Sequence, residues 1–392
     1  MKLRPLHLLA AAALTAGLVT APAAVAAADG NATASVPADS LRALGAQEGL
    51  RVGTAVDMAQ LGTNQAYTQL VADQFSVVTP ENVMKWDSVE PSRGTYNWQP
   101  ADQLVQFAQQ HKQLVRGHTL MWHNQIPSWL TSGVADGSIS NAQLREILHQ
   151  HVTDEVGHFR GKIWQWDVAN ELIANSWDSH PLADGVNGDD FWVQHLGEGI
   201  IADVFRWAHE ADPKALLMYN DYNIAGEDGT NAKFQAVYDL VKRLRAQGVP
   251  IDGVGEQGHL DTQYGFDAQR FQADLQAFGD LGLKVAVTEA DVRTFVDNAT
   301  DQVPTSQLAQ FAQPEEFSEM LKGCQLVRQC ISFTAWGVYD GDSWIPGTFG
   351  GEGYGLLYDV KLQPKPAYFA LQQDLELGAG APHRTGLGAG RE

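Results

Sequence analysis

Eight short apolar segments, each followed by a longer stretch with helical spacing, constrain this chain more than any other feature. They are RVGTAV (51–56), FSVVTPEN (75–82), LVRGHTL (114–120), IWQWDVANE (163–171), ALLMYND (215–221), GVGEQGHL (253–260), KVAVTEAD (284–291) and ISFTAWGV (331–338). Between them lie helix patterns such as PADQLVQFAQQHK (100–112), NAQLREILHQHVTDEVGHF (141–159), NAKFQAVYDLVKRLRAQG (231–248) and PEEFSEMLKGCQLV (314–327), the third ending on a C-cap glycine. Strand–helix alternation implies βαβ units and a parallel sheet. Eight repeats fit a closed barrel better than an open doubly wound sheet. The reading is therefore α/β, a single (β/α)8 TIM barrel over residues 41–377 with no long internal linker.

The ends of the chain read differently. Lys2 and Arg4 precede the apolar run LHLLAAAALTAGLV, and a small-x-small site follows at Ala24–Val25–Ala26. That is the pattern of a secretory signal, residues 1–26, too short and Ala-rich for a good membrane anchor. Residues 27–40 are a lead into the barrel, and 378–392 form a Gly- and Ala-rich tail expected to be disordered. Export makes a Cys324–Cys330 disulfide the favoured state of the two cysteines, with two buried thiols the alternative. A formal charge of −21 with only 26 Lys plus Arg argues against nucleic acid and anionic membrane as partners. The mature protein is expected to be an extracellular monomer.

In such a barrel catalytic groups sit where strands end. The prominent polar residues do fall there: Glu81 and Asn82, His118, Asn170 and Glu171, Asn220 and Asp221, Gln257 and His259, Glu289 and Asp291, and Trp336. One Asn or Asp after a strand is usually a helix cap or turn former. Helix capping does not explain His and aromatic neighbours recurring at most of the eight ends. Barrel closure brings Glu171 and Glu289 to one mouth, and two carboxylic acids facing one bond is the arrangement for glycoside cleavage. A salt bridge to Arg or Lys near the strand end is the competing reading of each Glu. Trp86, Trp122, Trp129, Trp166, Trp336 and Trp344 lie in or after strand-end segments and offer flat faces for sugars. Trp166, in mid-strand, equally suits the core.

Other motifs fail on context. GVGEQG (253–258) matches a dinucleotide fingerprint in letters, but no helix opens after it. His149, His151 and His158 share one helix with spacings unsuited to a common metal and are expected to face solvent. No zinc-protease motif and no nucleophile elbow occurs, so no metal or cofactor is expected.

Seven blocks together carry a resemblance: FSVVTPENVMKWDSVEP (75–91), VRGHTLMWHNQIPSW (115–129), WDVANE (166–171), MYNDYN (218–223), GVGEQGHL (253–260), VTEADVR (287–293) and WGVYDGDSW (336–344). In order and spacing they resemble glycoside hydrolase family 10, the retaining endo-1,4-β-xylanases. The resemblance implies Glu171 as general acid/base, Glu289 as nucleophile and Asn170 as the partner of the sugar 2-hydroxyl. It implies glycone-side contacts from Glu81, Asn82, Lys85 and Gln125, and cleavage-subsite walls from His118, Trp122, Gln257, Trp336 and Trp344. Asn220 and Tyr222 would serve the leaving-group side. His259, held by Asp291, would hydrogen-bond Glu289 and keep it ionised, and Cys324 and Cys330 would match the family's disulfide.

The implied substrate is xylan. A plant glycoside such as a steroidal glycoalkaloid is the alternative, since some relatives cleave those. A non-catalytic carbohydrate-binding barrel is the reading from another class, and it would lack one of the two carboxylates present here. Glu256, Gly258, Ala290 and Val83 depart from the family's usual residues. Glu256 and Ala290, flanking cleft positions, are expected to widen or re-polarise the pocket.

Overall fold

Valine, isoleucine and aromatic residues favour pleated, buried backbone, and they place eight parallel strands at nearly the expected positions. The structure is a computed structural model describing residues 36–175, 178, 180–226 and 232–378. The segment read as a signal, and the tail from residue 379, lie outside the described residues. The barrel strands are β1 (Arg51–Val56), β2 (Val77–Pro80), β3 (Leu114–Gly117), β4 (Gln165–Asn170), β5 (Leu216–Asp221), β6 (Gly253–Glu256), β7 (Lys284–Phe295) and β8 (Cys330–Ala335). Each pairs in parallel with the next, and β8 pairs with β1 through Arg51 opposite Ser332, so the sheet closes. Closure removes both sheet edges.

Side-chain alternation then decides what each strand presents. On β5, Leu217 and Tyr219 join the large apolar layer beneath the helices, while Leu216 and Met218 join Val77, Trp164, Ala286 and Ile331 in a small separate cluster. Asn220 continues the Leu216 and Met218 face one step higher, so the strand that fills the barrel also delivers a polar group to its mouth. Trp166 on β4 is fully buried in the outer layer. It lies so close to Gly117 on β3 that a Cβ there would meet its ring at 2.2 Å. Trp166 therefore belongs to the core.

Several boundaries differ from the sequence reading. β2, β3 and β4 end before Glu81, His118 and Glu171, placing those residues in the loops just past pairing. The GVGEQGHL segment breaks at Gly258, whose φ of +77° suits glycine, and resumes as a short strand, His259–Asp261, paired with the far end of β7. β7 runs four residues beyond expectation because that short strand and Glu352–Gly353 both pair with it. The seventh helix starts at Gln307, where Ser306 accepts from the Leu308 N–H, and continues through Pro314.

The histidine trio needs correction. Helix Asn141–His158 turns Leu144, Leu148, His151, Val152 and Glu155 inward. His151 is buried and stacks on Trp86 at 3.7 Å between ring centroids. His158 is half-buried against Trp98 and bonded to Asp102, and His149 tilts over Trp207. None is simply solvated, and spacings of three from Leu148 and seven from Leu144 put His151 on the apolar stripe. Trp86, flanked by His151 and Trp192, is core as well. Cys324 and Cys330 form a disulfide that closes a short loop before β8.

Candidate active site

Glu171 follows β4 in the left-handed region, at φ +57°, and Gln125 and Asn223 share that conformation at +49° and +55°. Three non-glycine residues in this sparsely populated region line one cavity, which is where backbone strain tends to gather at functional sites. The cavity holds about 600 Å³ at the C-terminal mouth of the barrel. Glu81, Asn82, Lys85, His118, Trp122, Gln125, Glu171, Tyr222, Gln257, His259, Glu289, Trp336 and Trp344 all line it.

Glu289 is almost fully buried, and the protein surrounds it with donors. Its Oε1 accepts from Asn220 Nδ2 at 2.8 Å and from Arg116 at 3.2 Å. His259 Nε2 lies 3.4 Å from its Oε2, and His118 Nδ1 stands 3.9 Å from its Oε1. Burial alone would raise this carboxyl, but His118, His259 and Arg116 outweigh it and hold Glu289 well below the usual range. His259 also lies 3.0 Å from Asp291, whose Oδ2 accepts from Trp344 Nε1 at 2.8 Å. Burial alone would lower His259, yet Asp291 and Glu289 push it up to about 10. The imidazolium and the carboxylate thus hold each other charged.

Glu171 is less enclosed. Trp122 Nε1 donates to its Oε2 at 2.8 Å and Gln257 Nε2 to its Oε1 at 2.9 Å. Asn170 is buried below, its Oδ1 accepting from Asn220 at 2.7 Å while its own Nδ2 has no protein partner. A buried N–H2 without a partner is costly, and Asn170 Oδ1 is held by Asn220 and Gln257, which themselves bond Glu289 and Glu171. A chain of two hydrogen bonds, Glu289 to Asn220 to Asn170, connects the nucleophile candidate to the strand end that carries Glu171.

Asn220, expected on the leaving-group side, lies elsewhere: it is fully buried, braced by Thr288 at 2.7 Å, and supports Glu289 from beneath. Glu256 turns away from the cavity, its carboxylate accepting from the Ile224 and Gly258 N–H groups. Ala290 is buried and absent from the lining. Neither departure therefore widens the pocket directly. At the Glu81 wall of the cavity, burial together with Asp342 and Asp57 pushes Glu81 up to about 8. Lys85 is lowered by burial, offset in part by Glu289, Glu81 and Glu171, and stands 5.0 Å from the Trp122 ring centroid. Trp129 lines a different cavity.

Three parts of the site were missed in the sequence. Arg116 is fully buried between Asp167 and Glu289, its Nη1 donating to the Thr288 carbonyl at 3.1 Å. His118, Asp167 and Glu289 place ligand-type atoms within 4.8 Å of one another, but the Arg116 guanidinium contacts both carboxylates and makes the cluster an ion network. Lys233 is buried on the opposite side, 2.7 Å from Asp221, 2.9 Å from Asn175 Oδ1 and 3.6 Å from the Tyr222 ring centroid. It ties the loop after β4 to the loop after β5. Arg293 and Phe349 also line the cavity, the guanidinium 4.0 Å from the ring.

Comparison with known proteins is consistent along nearly the whole chain. The model of Glycosyl hydrolase family 10 matches residues 40–374. Endo-1,4-beta-xylanase B of Thermotoga neapolitana is 37% identical over 338 residues, covering 86% of this chain and 91% of that protein. An endo-1,4-beta-xylanase of Agaricus bisporus is 39% identical, covering 81% and 88%. Among solved structures, xylanase 10B of Thermotoga maritima superposes with a TM-score of 0.79 at 35% identity, over 88% of this chain and all of that one. Xylanase 10B of Thermotoga petrophila in complex with xylobiose superposes at 0.78 and 35% identity, over 87% and 98%.

Proposed function

The chain belongs to glycosyl hydrolase family 10, and we propose that it is an exported endo-1,4-β-xylanase that retains anomeric configuration. One observation carries the reading: Glu171 and Glu289 face the same cavity, and the protein holds only Glu289 in a clasp of Asn220, Arg116 and His259. An ionised, oriented carboxylate suits attack on an anomeric carbon. Glu171, held by the neutral donors Trp122 and Gln257, suits transfer of a proton to the leaving oxygen.

In the first step Glu289 Oε forms a bond to the anomeric carbon as the glycosidic C–O bond breaks, and Glu171 gives its proton to the departing oxygen. The glycosyl ester is then attacked by water, Glu171 takes the water's proton, and the Glu289–carbon bond breaks. Each carboxyl ends as it began. Asn170 Nδ2 is the donor available to the sugar's 2-hydroxyl. Trp122, Trp336 and Trp344 offer ring faces to the pyranose, and Tyr222 stands on the leaving-group side, supported by Lys233.

Export is supported by the N-terminal pattern and by a disulfide that suits an oxidising compartment. Among the described residues no helix is long and apolar enough to cross a membrane. One catalytic domain acting as a monomer completes the proposal.

The test is stereochemical and mutational. Proton NMR during hydrolysis of an aryl β-xylobioside is expected to give the β-anomer first, whereas α-anomer would overturn the retaining mechanism. Glu289→Ala should lose at least about 10⁴-fold in kcat on every substrate. Glu171→Ala should lose about 10²- to 10⁴-fold on xylan, yet far less on a dinitrophenyl glycoside that needs no acid. Near-normal turnover of an aryl glycoside by Glu289→Ala would refute the assignment.

A further inference from the structure

A second cavity, of about 440 Å³, is lined in part by the loops that follow β2 and β3. Those loops have two faces. Lys85 and Gln125 line the catalytic cavity, and Glu90 and Trp129, five and four residues further on, line the second. The loops are stitched together by Asp87 N–H to the Gln125 carbonyl at 3.0 Å and by Trp129 Nε1 to the Glu90 carbonyl at 3.0 Å. Five extended residues span at most about 17 Å, so the two cavities are near neighbours.

The lining is aromatic and hydrogen-bonding together. Tyr96 stacks one face on Trp98, at 4.7 Å, and its hydroxyl donates to Asp154 at 2.6 Å. Gln150 donates to the other Asp154 oxygen at 2.7 Å, so that carboxylate is fixed in place. Gln143 holds Ser140 through its carbonyl oxygen, leaving its amide N–H2 uncommitted. Trp129 is half-buried, packed in part against the core, with the Arg93 guanidinium 5.9 Å from its ring centroid. Apolar ring faces flanked by amides and carboxylates match a pyranose, which has apolar C–H faces and a rim of hydroxyls. Glu90, Glu146 and Asp154 outnumber Arg93, which disfavours an anionic ligand.

We propose that this cavity is a non-catalytic binding site for neutral polysaccharide backbone, holding the polymer beside the cleft that cuts it. The identity of that polymer as xylan rests on the function proposed above. Such a site would supply on the barrel itself an attachment to insoluble substrate.

The experiment compares the full-length enzyme with Tyr96→Ala/Gln150→Ala and, separately, with Gln150→Arg, which fills the cavity from an exposed position and leaves the Tyr96–Asp154 bond in place. Binding to insoluble unsubstituted xylan is measured by depletion in a Glu289→Gln background, and turnover is measured on that xylan and on a soluble aryl β-xylobioside. Both variants are expected to bind the insoluble polymer about fivefold more weakly, the loss of one aromatic stack or its equivalent. Their turnover of insoluble xylan should fall with binding, while kcat/KM on the aryl xylobioside stays within about twofold. Unchanged binding overturns the proposal, as does an equal loss on both substrates, which would make these residues supports of the cleft. Failure of the xylanase reading is a separate outcome, because the unmodified enzyme would then cleave neither substrate.

Discussion

Glu155→Gln probes a buried acid–base couple that lies away from the cleft. His151 and Glu155 sit one turn apart on the inner face of helix Asn141–His158, both fully buried, with Nε2 3.3 Å from Oε2. None of their four side-chain nitrogen and oxygen atoms makes a well-aligned hydrogen bond. Burial pushes Glu155 well above its ordinary 4.5. Burial also pushes His151 down from 6.5 to about 3, against a smaller opposing effect of the Leu120 carbonyl. An acid with a raised folded value contributes stability that is complete below 4.5 and is lost as pH rises towards that folded value. A base with a lowered folded value contributes stability that is lost as pH falls from 6.5 through about 3. Between 4.5 and 6.5 the two slopes cancel, because folded and unfolded chains each hold one proton on the pair. Above 6.5 the folded pair still holds a proton the unfolded chain has released, and stability falls by about 1.4 kcal/mol per pH unit.

Glutamine keeps the shape and removes the titration. The stability of Glu155→Gln relative to the parent should therefore climb as pH rises above 4.5, with a limiting slope of about 1.4 kcal/mol per unit for as long as Glu155 stays protonated in the fold. Every other titrating group cancels in that difference. Urea unfolding of both proteins at pH 5.5, 6.5 and 7.5, followed by tryptophan fluorescence, measures it. A difference that does not change with pH would mean that Glu155 ionises normally inside the fold, and the reasoning from burial would be refuted.

Other perturbations test the cleft and its frame. His259→Gln keeps a donor beside Glu289 but removes the charge, so kcat should fall about 10- to 100-fold and the acid limb of kcat/KM should move to higher pH; an unmoved acid limb would refute the role given to the imidazolium. Lys233→Met leaves Asp221 buried without its cation and should cost about 3 to 5 kcal/mol of stability. The same change should raise KM for long xylo-oligosaccharides more than for an aryl xylobioside, because Tyr222 loses its support; equal effects on both would count against that support. Cys324→Ser/Cys330→Ser opens a loop of six-residue separation and should cost about 2 kcal/mol by chain entropy, read from the urea midpoint.

The barrel was legible because strand and helix periods alternate cleanly, and because the strands are rich in apolar residues, as parallel strands covered on both sides are. Strand ends were less legible. At Glu81, His118 and Glu171 the strand-like residues continue while pairing stops, and pairing depends on how long the neighbouring strand is. The histidine trio is less legible: the spacing of His149, His151 and His158 argues against a shared metal but does not by itself say which of them faces inward. Only its spacing of three from Leu148 and seven from Leu144 marks His151 as inward-facing.

The residues that do chemistry were legible because their side chains are polar and stand at strand ends, where a parallel barrel has its mouth. The residues that support them were hidden because a buried charge is intelligible only beside its partner. Arg116 and Asp167 each stand as a lone charge inside a strand, and the partner of each is invisible from its own segment. β3 and β4 are neighbours, however, with Arg116 paired to Gln165, and Asp167 lies two residues on, hence on the same face. Adjacency and parity therefore place the guanidinium beside that carboxylate. One carboxylate leaves the other donors of a fully buried guanidinium to be satisfied. Arg116 meets part of that need with the Thr288 carbonyl and Glu289 on β7, while its Nε has no hydrogen-bond partner. Its place in mid-strand thus links the barrel's interior to the nucleophile candidate: an arginine so deep is stable only where acids converge, and convergent acids at a barrel mouth are what glycoside cleavage requires.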